Sequence, residues 1–181
     1  PEGSYSDLRD PKISITPDGR LMLNSAVVYN DGRDLQSLVW FSNDGRTWGE
    51  AVLIGEHQYW LWRVTWHLGS AYAVGRVADK RVPRLYQSSD GVNFTVKAKD
   101  ESFFPNSPGP SEGTLRFLAD DTALCFLRLN KMAGSITDHA HIGIAHPPYT
   151  DWEWKNLGVN IGGPDMIQLP DGRFVAGARI I

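Results

Sequence analysis

The chain has a single cysteine, Cys125, in 181 residues, so no internal disulfide can form and the fold must hold by packing. No apolar run approaches the ~20 residues a membrane-spanning helix requires. Basic residues are not in excess either: a net charge of −3 and a pI near 5.9 give no footprint for nucleic acid or an anionic membrane. The opening Pro1-Glu2-Gly3 lacks an initiator methionine and a signal peptide, and reads as a processed, trimmed or partial N-terminus. Long amphipathic helical patterns are missing as well. What the chain does have is 41% hydrophobic residues, 18 glycines, 11 prolines and 7 tryptophans, the composition of a turn-rich β protein with a real core.

Four segments share one form, an apolar or alternating run, a tight turn and a second run. They are Lys12–Leu23 around Thr16-Pro17-Asp18-Gly19, Arg63–Val74 around His67-Leu68-Gly69-Ser70, Thr114–Leu127 around Ala119-Asp120-Asp121, and Met166–Ala176 around Pro170-Asp171-Gly172. Pro presets φ and Gly accepts a positive φ, so Pro-Asp-Gly between alternating runs predicts a hairpin. The last turn residues, Gly19, Gly69, Asp121 and Gly172, are spaced by 50, 52 and 51 residues. Between the hairpins lie Ser42-Asn43-Asp44-Gly45-Arg46-Thr47-Trp48 and a looser copy, Ser88-Ser89-Asp90-Gly91-Val92-Asn93-Phe94. These are Asp boxes, in which Ser and Asp cap a tight turn through backbone hydrogen bonds, a structural staple with no part in a site. The third unit carries Pro147-Pro148-Tyr149-Thr150-Asp151-Trp152 instead.

Two hairpins per fifty residues make a four-stranded antiparallel blade, and the sequence predicts an all-β propeller. The expected blades are 6–55, 56–105, 106–158 and an incomplete 159–181, about three and a half blades of a five- or six-bladed ring. The open strand edge near 173–181 is a surface for self-association.

Seven residues after each turn marker stand Ala26, Arg76, Arg128 and Arg179, near the end of each second strand. In a propeller that end meets the start of the innermost strand on one face of the axis. The innermost strands start with Arg9 and Asp10, with Trp60–Arg63, with Glu112, and with Asp165 a little further along. Arginines and carboxylates therefore converge on one mouth. Repeated arginines can be a salt-bridge feature copied with the blade. They can equally hold an anion, since the guanidinium fork pairs bidentately with carboxylate or phosphate. Asp31 and Asp34 lie in a loop on the same side. Asp138, His139 and His141 crowd the corresponding loop of unit three, yet no further ligand set is evident and no metal or other cofactor is expected. Trp62 could line the mouth as a sugar platform or belong to the core, and Cys125 reads as inert core.

These residues resemble the sialidase (neuraminidase) superfamily of propellers. Leu8-Arg9-Asp10-Pro11 with Ile15-Thr16-Pro17-Asp18-Gly19 looks like its R-I-P segment, with Asp10 in place of Ile. The sixteen residues from Glu112 to Arg128 match its Glu-strand-turn-strand-Arg segment. The resemblance implies a retaining exo-glycosidase acting on a carboxylated sugar, with an extracellular or periplasmic setting and a carbohydrate or glycoconjugate partner. Arg9, Arg128 and Arg179 would hold the substrate carboxylate, and Arg76, Asp10, Trp62 and Arg63 would line the subsite. Glu112 would polarise a nucleophilic tyrosine, and Asp31 or Asp34 would be the acid. Tyr5 lies near the mouth but no motif supports it as that tyrosine. Two other readings stay open, a non-catalytic carbohydrate-binding or scaffold propeller and an exo-glycosidase for another sugar.

Overall fold

A computed structural model of the chain describes residues 6–29, 35–77, 83–99, 102–104, 109–130 and 139–181. Among them, β-strands form four antiparallel sheets. The first contains β1 (Ser6–Ile15), β2 (Leu21–Tyr29), β3 (Leu35–Ser42) and β4 (Val52–Ile54). The second contains β5 (Tyr59–His67), β6 (Ser70–Val77), β7 (Pro83–Ser88) and β8 (Thr95–Lys99). The third contains β9 (Pro110–Phe117), β10 (Ala123–Leu129), β11 (His141–Ala145) and β12 (Glu153–Asn156). The last pairs β13 (Ile161–Gln168) with β14 (Phe174–Ile180). Strands lie side by side in chain order. The first strand of each sheet packs against the first strand of the next: β1 on β5, β5 on β9, β9 on β13. Those four strands line the axis of a β-propeller.

The turns form as their residues dictate. Thr16 N–H donates to Arg20 O (2.9 Å) and Gly19 N–H to Thr16 O (2.9 Å), with Gly19 at φ 84°. Leu169–Arg173 repeats that geometry, with Gly172 at φ 85°. The second unit closes instead through two left-handed residues, Leu68 and Gly69, the two-residue hairpin whose twist matches its strands. In the Ser42 turn, Ser42 Oγ accepts from Gly45 N–H (2.9 Å) and Asp44 Oδ1 from Arg46 and Thr47 N–H (2.8 Å each). Ser88 and Asp90 do the same for Gly91, Val92 and Asn93.

The core is layered between sheets. Met22, Val39, Leu61, Ala73 and Tyr86 fill the first interface, and Val74, Leu85, Phe103, Leu115, Cys125 and Leu127 the second. Phe126, Ile161 and Met166 fill the third. Each large apolar side chain taken from water contributes about 1.5–3 kcal/mol. Within these apolar layers, polar side chains tie each sheet to the inner strand of the next. Asn24 donates to Leu61 O (3.3 Å), Thr65 Oγ1 to Leu115 O (3.1 Å) and Thr114 Oγ1 to Pro164 O (2.9 Å). Apolar side chains remain exposed at both ends of the row of sheets, Leu8, Ile13 and Ile15 on β1, and Ile167, Val175 and Ile180 on the last sheet. Among the described residues no helix is long and apolar enough to cross a membrane.

Candidate active site in the axial channel

All four inner strands break register near their starts, and each break sets two residues against one. Asp10-Pro11 oppose Ser25, Trp62-Arg63 oppose Val74, Ser111-Glu112 oppose Arg128, and Gly163-Pro164 oppose Ala178. A bulge bends its strand and re-aims the side chains it carries. It also frees a backbone position from the ladder, which is where a strand tolerates proline. Asp10 sits at φ 52° and Gly163 at φ 62°. Glycine adopts that conformation without penalty, whereas an aspartate there holds local strain.

Glu112 is the most enclosed carboxylate of the channel, 7% exposed. Its Oε1 accepts from Arg128 Nη1 at 2.6 Å, and its Oε2 from the Gly163 N–H at 2.6 Å. The left-handed turn at Gly163 presents that N–H from the neighbouring sheet. Charge-assisted hydrogen bonds on both oxygens fix the carboxylate's orientation.

Further down the channel Arg63 Nη1 lies 2.5 Å from Asp165 Oδ2, and Arg116 Nη2 lies 3.3 Å from Asp165 Oδ1. Arg116 also donates to Leu115 O (2.7 Å). Lys12 extends from the first sheet into the same field: its ammonium donates to Asp10 O (3.1 Å) and sits 4.3 Å above the Trp62 ring. Burial holds the Lys12 amine below its ordinary pKa, with Asp10 pulling it up and Arg63 pushing it further down. Burial likewise lowers Arg116, helped by Arg63.

The residues expected at the mouth fare differently. Arg9 is half exposed and pairs with Asp7 at 2.7 Å. Trp62 is only 4% exposed and lies under Lys12, so the ring belongs to the core and is not an open sugar platform. Arg128 and Arg179 stand five residues beyond the first paired residue of their strands, whereas Arg76 stands six beyond Ser70. The two-residue turn at Leu68-Gly69 is shorter than the others, so counting from the turn marker runs one residue out of phase there. Arg76 consequently stacks over Trp60, 5.0 Å from its ring centre. The Arg179 guanidinium lies over Gly162, where an added Cβ would meet it at 3.0 Å. Asp31, Asp34, Tyr5 and Asp138 lie outside the described residues. The His141 ring bonds to the His139 carbonyl at 2.9 Å and packs edge-on against Phe104, and burial lowers its pKa. Among the described residues no three metal-ligating side chains converge.

Lys12 and Arg116 are channel residues that reading the strand starts misses. Each lies beyond the bulge of its inner strand, where counting by twos from the strand start no longer tells the face.

No family profile and no curated protein sequence matches the chain. Among solved structures it is similar to the GH32 β-fructofuranosidase of Bombyx mori, with a TM-score of 0.67 and 20% identity over 94% of this chain and 41% of that one. A variant of the same enzyme in complex with sucrose matches at TM-score 0.66 and 18% identity, over the same shares of both chains. A Hadza microbial sialidase matches at TM-score 0.60 and 15% identity, over 83% of this chain and 33% of that one. The chain thus spans a third to two fifths of the length of these propellers. The chain has the β-propeller fold of these glycoside hydrolases, the fold that its resemblance to the sialidases implies.

Proposed function

We propose that the channel mouth is the active site of an exo-acting glycoside hydrolase that removes a terminal, carboxylated sugar with retention of configuration. The observation that carries this reading is Glu112. It is a buried carboxylate at a bulge on the axis, with one oxygen on Arg128 and the other on a backbone N–H of the next sheet. An oriented, enclosed carboxylate of this kind suits a general base. In this reading Glu112 draws the proton from a tyrosine that attacks the anomeric carbon. A neutral tyrosine nucleophile escapes the repulsion a carboxylate would meet from the substrate's own acid group. Asp31 or Asp34 protonates the departing oxygen, and Arg9, Arg128 and Arg179 face the substrate carboxylate, flanked by Arg63 and Asp10.

Charge supports the same substrate class. Among the described residues, Arg9, Lys12, Arg63, Arg116, Arg128 and Arg179 stand along the inner strands and their partners, against Asp7, Asp10, Glu112 and Asp165. A chain of net charge −3 thus concentrates positive charge at its axis. Such a field raises the local concentration of an anionic ligand.

One observation favours an exo-glycosidase for a neutral sugar instead: Arg9, Arg63 and Arg128 each already have a carboxylate partner within the chain. The test is a panel of fluorogenic glycosides, sialic acid, uronic acid and neutral hexose or fructose. It is applied to the full-length polypeptide carrying residues 1–181 and to its Glu112→Gln variant, with the anomer of the first product read by proton NMR. Release from the sialoside alone, retained in configuration and lost in the variant, is the expected result. Release from a neutral glycoside alone supports the second reading. No release by folded protein leaves a sugar-binding propeller.

A further inference from the structure

Glu112 and Thr114 stand two residues apart on β9, a spacing that turns both side chains to one side of the strand. Both reach the same bulge on β13 of the next sheet. Glu112 Oε2 accepts from the N–H of the bulge's first residue, Gly163 (2.6 Å), and Thr114 Oγ1 donates to the C=O of its second, Pro164 (2.9 Å). The bulge falls in a break of its own ladder, which pairs Gly162 with Arg179 and resumes at Asp165 with Gly177. Pro164 has no N–H with which to rejoin it. Two tethers from other sheets fix the bulge instead. One is the Thr114 hydroxyl, and the other is the Asp165 carboxylate just beyond, which meets Arg63 of β5 and Arg116 of β9. Thr114 is fully buried and Pro164 is buried beside it. Loss of the hydroxyl there leaves an enclosed carbonyl without its donor.

We infer that Thr114 is a positioning residue for Glu112: through the Pro164 carbonyl it holds the bulge where the Gly163 N–H meets Oε2. The inference rests on the reading that Glu112 is the general base of the channel mouth. Arg128, from Glu112's own sheet, binds the carboxylate at Oε1. A carboxylate held at one oxygen can turn about that contact. Held at both, by groups from two sheets, it presents one fixed direction to the proton it is to accept. Gly163 suits the part, because its φ of 62° is a conformation that glycine adopts without strain. Removing the Thr114 hydroxyl frees the Pro164 carbonyl, and the bulge shifts together with the N–H it carries. Glu112 then keeps its arginine and loses its aim.

The test compares wild type with Thr114→Val, Thr114→Ser and Ser37→Ala in the full-length protein. Valine keeps the shape of threonine without the hydroxyl, and serine keeps the hydroxyl. Ser37 controls for a merely structural role. Its buried hydroxyl also joins two sheets, bonding Tyr59 O (3.1 Å) and Leu61 N–H (2.8 Å), and those bonds reach neither Glu112 nor the bulge. The first readout is the Gly163 amide proton by NMR, in protein carrying glycine labelled at nitrogen and carbonyl carbon. Gly162-Gly163 is the one Gly-Gly pair in the 181 residues. A 2.6 Å bond to a carboxylate sets that proton downfield. Thr114→Val is expected to move it upfield, in the same direction as Glu112→Gln, and to speed its exchange with solvent about tenfold. The second readout is turnover of a 4-methylumbelliferyl sialoside. In Thr114→Val, kcat falls about ten- to a hundredfold with KM changed by less than about twofold, and Thr114→Ser restores both readouts. Ser37→Ala lowers the melting temperature and moves neither. Thr114→Ala supplies the same comparison should the valine variant not fold. An amide that stays in place without the hydroxyl, or turnover that is undiminished in Thr114→Val or not rescued by serine, overturns the inference and leaves Glu112 as base standing. A wild type that cleaves nothing while its Gly163 amide answers to Thr114→Val sinks the glycosidase reading alone, and Thr114 then orients Glu112 for another role.

Discussion

Arg63 and Asp165 are 102 residues apart in the chain and 2.5 Å apart in the fold. Their contact crosses the inner strand of the third sheet, whose Arg116 grips the other oxygen of the same carboxylate. The channel is thus more than the gap left by packed sheets. Its wall is laced by charges drawn from separate sheets, and Glu112 pairs with Arg128 nearer the strand starts.

The Glu112–Arg128 pair is sheltered, with side chains 9% and 21% exposed. Removing only the arginine leaves a carboxylate without its partner in a poorly solvated site. Arg128→Met is expected to cost about 3 kcal/mol, and to lower the melting temperature by roughly 6–12 °C for a domain of this size. The double variant Glu112→Gln/Arg128→Met recovers most of that loss, which a thermal double-mutant cycle measures.

Sheets two and three pack tightly where Gly113 meets Val74. A Cβ at Gly113 would lie 2.8–2.9 Å from three Val74 side-chain atoms. Gly113→Ala is expected to destabilise by about 1–3 kcal/mol through overpacking. Pairing it with Val74→Ala relieves the clash, and urea unfolding of the two variants and their combination checks this.

The capped turns set an acid dependence. Asp90 is held well below the usual carboxylate range by the Asn93 and Val92 N–H groups, and Asp44 by those of Thr47 and Arg46. Both pKa values are depressed in the folded state, so the stability they add is complete above about pH 4, the unfolded range. It is lost as pH falls through the depressed values. The variant Asp44→Asn/Asp90→Asn is expected to lose less stability than wild type between about pH 4 and pH 2, read from melting temperatures at stepped pH.

Cys125 is fully buried, and burial pushes its thiol far above the ordinary range. The thiolate is the reactive form. The folded protein should therefore resist a disulfide-exchange reagent over hours, while the same protein in denaturant reacts in minutes. Rapid labelling of folded protein would contradict this packing.

Much of the architecture was legible from local chemistry. Gly19 and Gly172 mark hairpins because Pro-Asp-Gly can do little else between alternating runs, and the fifty-residue period groups those hairpins into sheets. The sixteen-residue interval from Glu112 to Arg128 spans one hairpin, so their meeting follows from strand geometry. Bulges hid the rest. Each adds an unpaired residue that reverses the facing of the side chains beyond it. The inward aim of Lys12 and Arg116 could not be told from strand starts alone, nor the phase error that sets Arg76 over Trp60. Trp62 misleads for a related reason: alternating tryptophans look like a platform until Lys12 from another sheet covers Trp62 and Arg76 covers Trp60. Long-range partners such as Asp165 for Arg63 leave no trace in local pattern.

The most direct measurement is the rate of fluorophore release from a 4-methylumbelliferyl sialoside by the full-length protein, set against its Glu112→Gln variant. Release by the wild type that falls by about 10²-fold or more in a normally folded variant is predicted for an oriented general base. Equal rates in the two proteins would contradict the role of Glu112, and an inert wild type would contradict the sialoside itself.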